Sequence, residues 1–226
     1  LAVANIMDNK QVNLQGSTVC SSSRLQQTGG VDTIDPHNTG LFTARLPMDI
    51  KAGIDQSFLV QLYMANCATA LVVDKTGAPA YTGLRAVTTG FADSFNIADS
   101  TYVYNENPLV RAEKLDVEEG GEDCYVTVQF PSRDTRPETK VVIETTDPFI
   151  AEDADEAIWE WQVFVPMPDG AVTATRLGLL KPLRAGQLKI IKIRIGPHGE
   201  AFPFDDTISV SVALDWQPGN EYPIPL

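Results

Sequence analysis

Apolar and polar side chains alternate with a period of two along much of this chain. Phe58, Val60, Leu62 and Met64 share one face, with Gln61 and Tyr63 on the other. Val126, Val128 and Phe130 alternate with Tyr125, Thr127 and Gln129, and Trp159, Trp161, Val163 and Val165 with Glu160, Gln162 and Phe164. Ile191, Ile193 and Ile195 alternate with Lys192 and Arg194, and Ile208, Val210, Val212, Leu214 and Trp216 with Ser209, Ser211, Ala213 and Asp215. Each run predicts a strand with one buried and one wet face, the habit of antiparallel sheets.

Turn residues separate the runs: Lys75-Thr76-Gly77, Asp169-Gly170, Gly196-Pro197-His198-Gly199 and Pro218-Gly219-Asn220. Asp169-Gly170 between two alternating runs predicts a hairpin, because both residues tolerate positive φ. No long segment has a 3.6-residue period, and the acidic stretch from Asp147 to Ala157 predicts a short helical turn at most. The expected fold is all-β, an antiparallel β-sandwich.

Residues 1–50 hold two predicted strands, Ala2 to Met7 and Leu41 to Pro47, around a loop rich in Ser, Thr, Gln and Gly. Two strands cannot bury a core of their own. They are expected to be the C-terminal part of an N-terminal sandwich, with residues 51–226 forming a second, complete one. A rival boundary lies in the polar, two-proline segment from Pro131 to Pro137. Leu1 to Asn5 reads as the inside of a strand, so a processed or truncated N-terminus is expected.

Charge narrows the function classes. Lys and Arg total 17 against 30 Asp and Glu, a net charge of −13. Nucleic acid and anionic lipid surfaces both call for basic clusters, so neither is an expected partner. Hydrophobic residues make up 43% of the chain, enough for a core. No run of 18 apolar residues predicts a membrane span. Cys20, Cys67 and Cys124 are too far apart for a zinc or C-x-x-C motif, and burial as small apolar residues is expected.

The search for catalytic groups returns little. His37 lies in Asp35-Pro36-His37-Asn38-Thr39-Gly40 and His198 in the Gly-Pro-His-Gly turn. Both are expected to be exposed turn residues, with neither a metal motif nor a nucleophile elbow beside them. Gly120-Gly121 sits among carboxylates that would repel a phosphate. Two acidic loops have oxygen ligands suited to calcium but lack EF-hand spacing: Glu118, Glu119, Glu122 and Asp123, and Asp147, Glu152, Asp153, Asp155 and Glu156. Trp159, Trp161 and Trp216 are expected in the core, whereas Tyr81, Tyr102 and Tyr104 are candidates for surface contacts. No catalytic residue, metal site or cofactor is expected.

Several of these stretches resemble the fimbrial anchor family of Bacteroidales. Leu1 to Asn5 looks like the strand that closes that family's first sandwich. Phe58 to Asn66 looks like the first strand of its second sandwich, leading to Val87-Thr88-Thr89-Gly90-Phe91-Ala92. Trp161 to Val165 with Asp169-Gly170 and Thr173 to Thr175 resembles its central hairpin, and Ile208 to Trp216 its closing strand. The resemblance implies a pair of transthyretin-like β-sandwiches and a non-enzymatic role as an anchor or other subunit at the outer-membrane surface. It implies fimbrial subunits as partners, joined by strand addition, and attachment through an N-terminal lipid whose Cys is not in this sequence. A surface glycan-binding lipoprotein or tip adhesin is the alternative. It would need an exposed aromatic platform near Tyr81 or from Tyr102 to Asn107. A hydrolase built on a β-sandwich is a third class.

Overall fold

The computed structural model describes residues 2–5, 11–16, 23–30, 33–78, 81–104, 108–116, 122–134, 149–150, 157–203 and 212–213. They form strands and turns, with no helix among them. In chain order the strands are β1 (Ala2–Ala4), β2 (Val12–Gln15), β3 (Arg24–Gln27), β4 (Phe42–Arg45), β5 (Tyr63–Met64), β6 (Cys67–Asp74), β7 (Arg85–Thr89), β8 (Ser94–Asn96) and β9 (Thr101–Val103). They continue with β10 (Val110–Arg111), β11 (Glu113–Leu115), β12 (Asp123–Gln129), β13 (Phe149–Ile150), β14 (Trp159–Pro166), β15 (Val172–Leu179), β16 (Gln187–Ile195), β17 (Ala201–Pro203) and β18 (Val212–Ala213).

Two sheets make the sandwich. One runs β10-β7-β14-β15-β13, the other β11-β12-β6-β16-β17 with β18 also paired to β16. Their inner faces share one core: Leu71 and Val73 from β6, Trp161, Val163 and Val165 from β14, Leu177 and Leu179 from β15, and Ile191, Ile193 and Ile195 from β16. The alternation expected for β14 and β16 therefore holds, and Asp169-Gly170 turns the β14–β15 hairpin with Pro166 opposite Val172. There Gly170 takes a φ of +86°, and the Asp169 carboxylate accepts from the Ala171 amide at 2.9 Å. Among the named pairings only β6–β16 is parallel, with Leu188 opposite Ala68 and Arg194 opposite Asp74.

Strands before residue 50 pair with strands after it. β1-β4-β5 is one small sheet and β2-β3-β8-β9 another. A second core lies there, built from Val12, Leu25, Leu41, Ala65, Ala92, Phe95, Ile97 and Phe130.

Two expectations are overturned. On β12 the buried face is Tyr125, Thr127 and Gln129, not Val126 and Val128, which are half-buried. The hydroxyls find partners inside: Thr127 and Thr88 both donate to Gln129 Oε1, at 2.8 and 2.9 Å, while Gln129 Nε2 is buried without a partner among the described residues. Hydrogen bonding removes most of the cost of burying hydroxyls, so an apparently wet face can turn inward. The strand expected from Phe58 is also absent over 58–62, which is irregular, with Phe58, Leu59 and Leu62 exposed. Strand structure resumes at β5, and the long strand is β6, whose Cys-Ala-Thr-Ala-Leu-Val-Val run hides its period because small and apolar residues occupy both faces. The run from Ile208 to Trp216 lies outside the described residues except for β18.

Trp161 spans the sandwich. Its ring is fully buried, and Nε1–H donates to Thr69 Oγ1 on β6 at 3.3 Å, tying the two sheets together. Thr69→Val keeps the shape and leaves that indole N–H without its partner. We expect a loss of about 1–3 kcal/mol in urea unfolding at neutral pH. An unchanged midpoint would show that the bond adds nothing.

Candidate functional site

His37 is buried at 3% exposure, not in an open turn as its loop composition predicts. It lies in the connection between β3 and β4, where its amide donates to Val128 O at 2.7 Å and its ring stands edge-on to Phe130 with centroids 4.8 Å apart. Asn66, between β5 and β6, holds this connection. Its Oδ1 accepts from the Leu41 amide at 3.2 Å, and its Nδ2 donates to Thr39 O and to His37 Nδ1, both at 3.1 Å. With Nδ1 accepting, the network assigns the ring proton to Nε2. Burial lowers the His37 pKa to about 3, so the ring stays neutral. A neutral imidazole clamped by an amide is a structural strut. His198 sits where expected, exposed in the β16–β17 turn.

The tyrosines singled out as surface candidates are half-buried, and their hydroxyls are engaged. Tyr81 Oη bonds Asp123 Oδ2 at 3.0 Å and Tyr125 Oη at 3.1 Å, and Tyr125 Oη accepts from the Leu84 amide. Burial first, then its neighbours Tyr125 and Asp123, push the Tyr81 phenol well above its ordinary pKa. Asp123 also meets Lys114 at 3.1 Å and Lys75 at 3.3 Å. Burial alone would raise its pKa, but the bonds from Lys114, Tyr81 and Lys75 together hold it below the usual carboxylate range. Tyr102 donates to Ala65 O and Tyr104 to Ser132 O, each at 2.9 Å, and Arg133 lies over the Tyr104 ring. Burial pushes the Tyr104 phenol up to about 12. Each hydroxyl ties a loop to the body, and none of these rings is a free platform for a sugar. A cleft beside Tyr81, lined by Ala78, Val165, Met167 and Ile195, holds about 60 Å³.

Trp159 and Trp161 are in the core as expected, and Trp216 lies outside the described residues. Cys67 is a buried free thiol bonded to Phe130 O, its pKa raised by burial, and Cys124 is a half-buried free thiol. Cys20 lies outside the described residues. Of the acidic residues weighed as calcium ligands, Glu118, Glu119, Asp147, Glu152, Asp153, Asp155 and Glu156 also lie outside them. Among the described residues no group of three or more His, Cys, Asp or Glu is placed to hold a metal.

What remains is an exposed apolar segment. Residues 49–59 are all exposed, and Leu59 reaches 96%. Ile50, Ile54, Phe58, Leu62 and Tyr63 are exposed with it. Lys51 N donates to Gln56 Oε1, and Gln56 Nε2 to Asp49 O, which closes a local loop at the start. Residues 57–61 make no backbone hydrogen bond among the described residues. They run into β5, the end strand of its sheet. No charged residue occurs between Asp55 and Asp74, in a chain where 21% of residues are charged. Natural sheet edges are normally guarded by charge or proline, so an unguarded one is a place for another strand. The alternation at 58–64 announced this segment; its exposure was invisible to the pattern.

No protein-family model matches the sequence, and no curated protein does. Solved structures share the fold. A Bacteroides thetaiotaomicron protein described as polysaccharide-binding superposes with a TM-score of 0.50 at 6% identity, covering 85% of this chain and 68% of its own. The fimbrial anchor protein Mfa2 of Porphyromonas gingivalis gives 0.48 at 12% identity, with coverages of 85% and 66%. A Bacteroides ovatus protein described as an adhesin gives 0.48 at 12% identity over 78% of this chain, which spans 63% of that protein's length. At these identities the likeness is one of fold, and the fold is a β-sandwich.

The buried His37 makes stability depend on pH. Above its ordinary pKa of 6.5 the ring is neutral in both folded and unfolded chains. Between there and about 3, the unfolded chain takes a proton that the folded chain refuses, so stability falls as pH falls. Between about pH 7.5 and pH 4.5 this should remove roughly 2–3 kcal/mol. His37→Gln keeps an acceptor for Asn66 without a titrating ring. Urea unfolding at both pH values should show the wild type losing more than the variant by about that amount. Equal losses would mean that His37 is protonated in the folded chain.

Proposed function

We propose that this chain is a non-enzymatic structural protein of a bacterial cell surface, a fimbrial anchor or other fimbrial subunit that meets its neighbours through β-strand contacts at the outer membrane. The observation that carries this reading is the exposed, uncharged run at 56–62, alternating in sequence though irregular in the fold, which leads into the end strand of a small sheet. Main-chain pairing along such an edge supplies affinity, and alternate apolar side chains supply register. The resemblance of the strand pattern to the fimbrial anchor family points the same way.

The polar groups support a scaffold. Asn66, Tyr81, Tyr102, Tyr104 and Asp123 each bridge one part of the fold to another through their polar groups, and His37 does so through Nδ1 while its buried Nε2 has no partner among the described residues. In this reading residues 1–50 act as a unit that joins residues 51–226 through the β3–β8 and β4–β5 pairings.

Deleting the gene in the source bacterium tests the proposal. Loss of an anchor should release fimbriae into the medium, and surface labelling of the parent strain should tag the chain alongside fimbrial protein. A chain shielded from surface label, with fimbriae unchanged on deletion, would rule the reading out.

A further inference from the structure

We infer that the second core binds one internal water molecule, which accepts a hydrogen bond from His37 Nε2–H and donates one to Gln27 Oε1. The inference goes beyond the proposed function and does not depend on it.

Both side chains are buried, Gln27 at 4% exposure and His37 at 3%. Backbone groups fix which end of each is left over. Gln27 Nε2 donates to Asp35 O at 2.9 Å, and a carbonyl can only accept, so Oε1 is the other end of that amide. Asn66 is fixed in the same way, because its Oδ1 takes the Leu41 amide and its Nδ2 gives to Thr39 O. It is therefore Nδ2 that faces His37 Nδ1, so Nδ1 accepts and Nε2 carries the ring proton. Neither Gln27 Oε1 nor His37 Nε2 has a partner among the described residues. Native proteins rarely leave a buried donor or acceptor unmet, because each has given up its bonds to water.

The chain brings the two groups to one corner. After β3 it turns back on itself: Gly29 bridges Ile34 in antiparallel fashion, and Asp35 N donates to Thr28 O. A Cβ at Gly29 would run into Thr33 O and Ile34 Cα, so this close return needs glycine. Carried one step further, the same register sets Pro36 opposite Gln27, with His37 next along the chain. The Gln27 side chain shares the buried face of β3 with Leu25, and the His37 ring stands edge-on to Phe130. Leu25 and Phe130 both belong to the second core.

The chemistry of the two ends selects the ligand. One end is a donor and the other an acceptor, and they do not bond each other. An anion would suit His37 and be repelled by the Gln27 carbonyl, and a cation would do the reverse. A neutral molecule with a proton to give and a lone pair to offer suits both, and water is the smallest that can sit between two buried groups. The bridge runs from Gln27 through the water and His37 to Asn66, and so ties β3 to the entry of β6.

NMR of the full chain, isotope-labelled at its histidine nitrogens, tests this. The expected result is a resolved His37 Nε2–H signal that shows cross-relaxation to a long-lived bound water. Gln27→Leu removes the acceptor, so the water contact should be lost while the His198 signals stay unchanged. A crystal structure of the wild type gives a second measurement that does not depend on the variant folding. It should show a density peak about 2.7–3.2 Å from both Nε2 and Oε1. A visible Nε2–H with no water contact, or one that exchanges with bulk solvent too fast to be seen, would overturn the inference. So would a map without the peak, a direct bond from Nε2 to Gln27 Oε1, or a water contact that survives Gln27→Leu. None of these results bears on the surface role of the chain, which gene deletion and surface labelling decide separately.

Discussion

β6 is the strand on which the rest of the structure depends. It lies inside its sheet, hydrogen-bonded to β12 on one side and β16 on the other over nearly its whole length. Its inward residues, Cys67, Thr69, Leu71 and Val73, pack into the sandwich core. Residue Asn66, at its entry, clasps the connection that leads to β4. Both cores therefore meet at the start of one strand. A β-strand with both edges paired and one face buried has few alternatives open to it, and its register sets that of its neighbours.

The interior of the sandwich is less apolar than its strands suggest. Thr69 accepts the Trp161 indole bond, and Thr88, Gln129 and Thr127 form a chain of hydroxyls around one amide oxygen. Each donor satisfied inside stabilises only one way of stacking the two sheets, since a slip would leave it unpaired in a low-dielectric core. Glu160 follows the same rule on the outer face of β14. Its carboxylate is buried, and Arg176 on β15 grips it through two nitrogens. Polar chemistry is plentiful in this protein, and most of it is spent on holding strands in place.

The strands and turns that announce themselves are those whose two faces differ strongly. β14, β16 and the Asp169-Gly170 hairpin were legible for that reason. β6 was not, because Ala68, Ala70 and Val72 on its outer face resemble the core residues between them. β12 was legible as a strand but not by face: burial of Thr127 and Gln129 depends on partners supplied by β7 and β12 itself, which no local pattern contains. His37 misled for a related reason. Its neighbours are loop residues, yet that loop passes between Asn66 and Phe130, which lie far away in sequence. Long-range pairing also explains why strands before residue 50 join those after it.

The most strand-like run in the first third of the chain, Phe58 to Leu62, stays unpaired in a single copy while the weakly patterned β6 beside it anchors the fold. Burial decides between them: β6 has two neighbouring strands and a core to cover, and 58–62 has neither within the described molecule. Amide hydrogen exchange in dilute solution addresses this contrast most directly. Amides of residues 67–74 should exchange only through global unfolding, and those of 57–61 at nearly unfolded rates. Protection at 57–61 in dilute solution, or fast exchange along β6, would contradict the account.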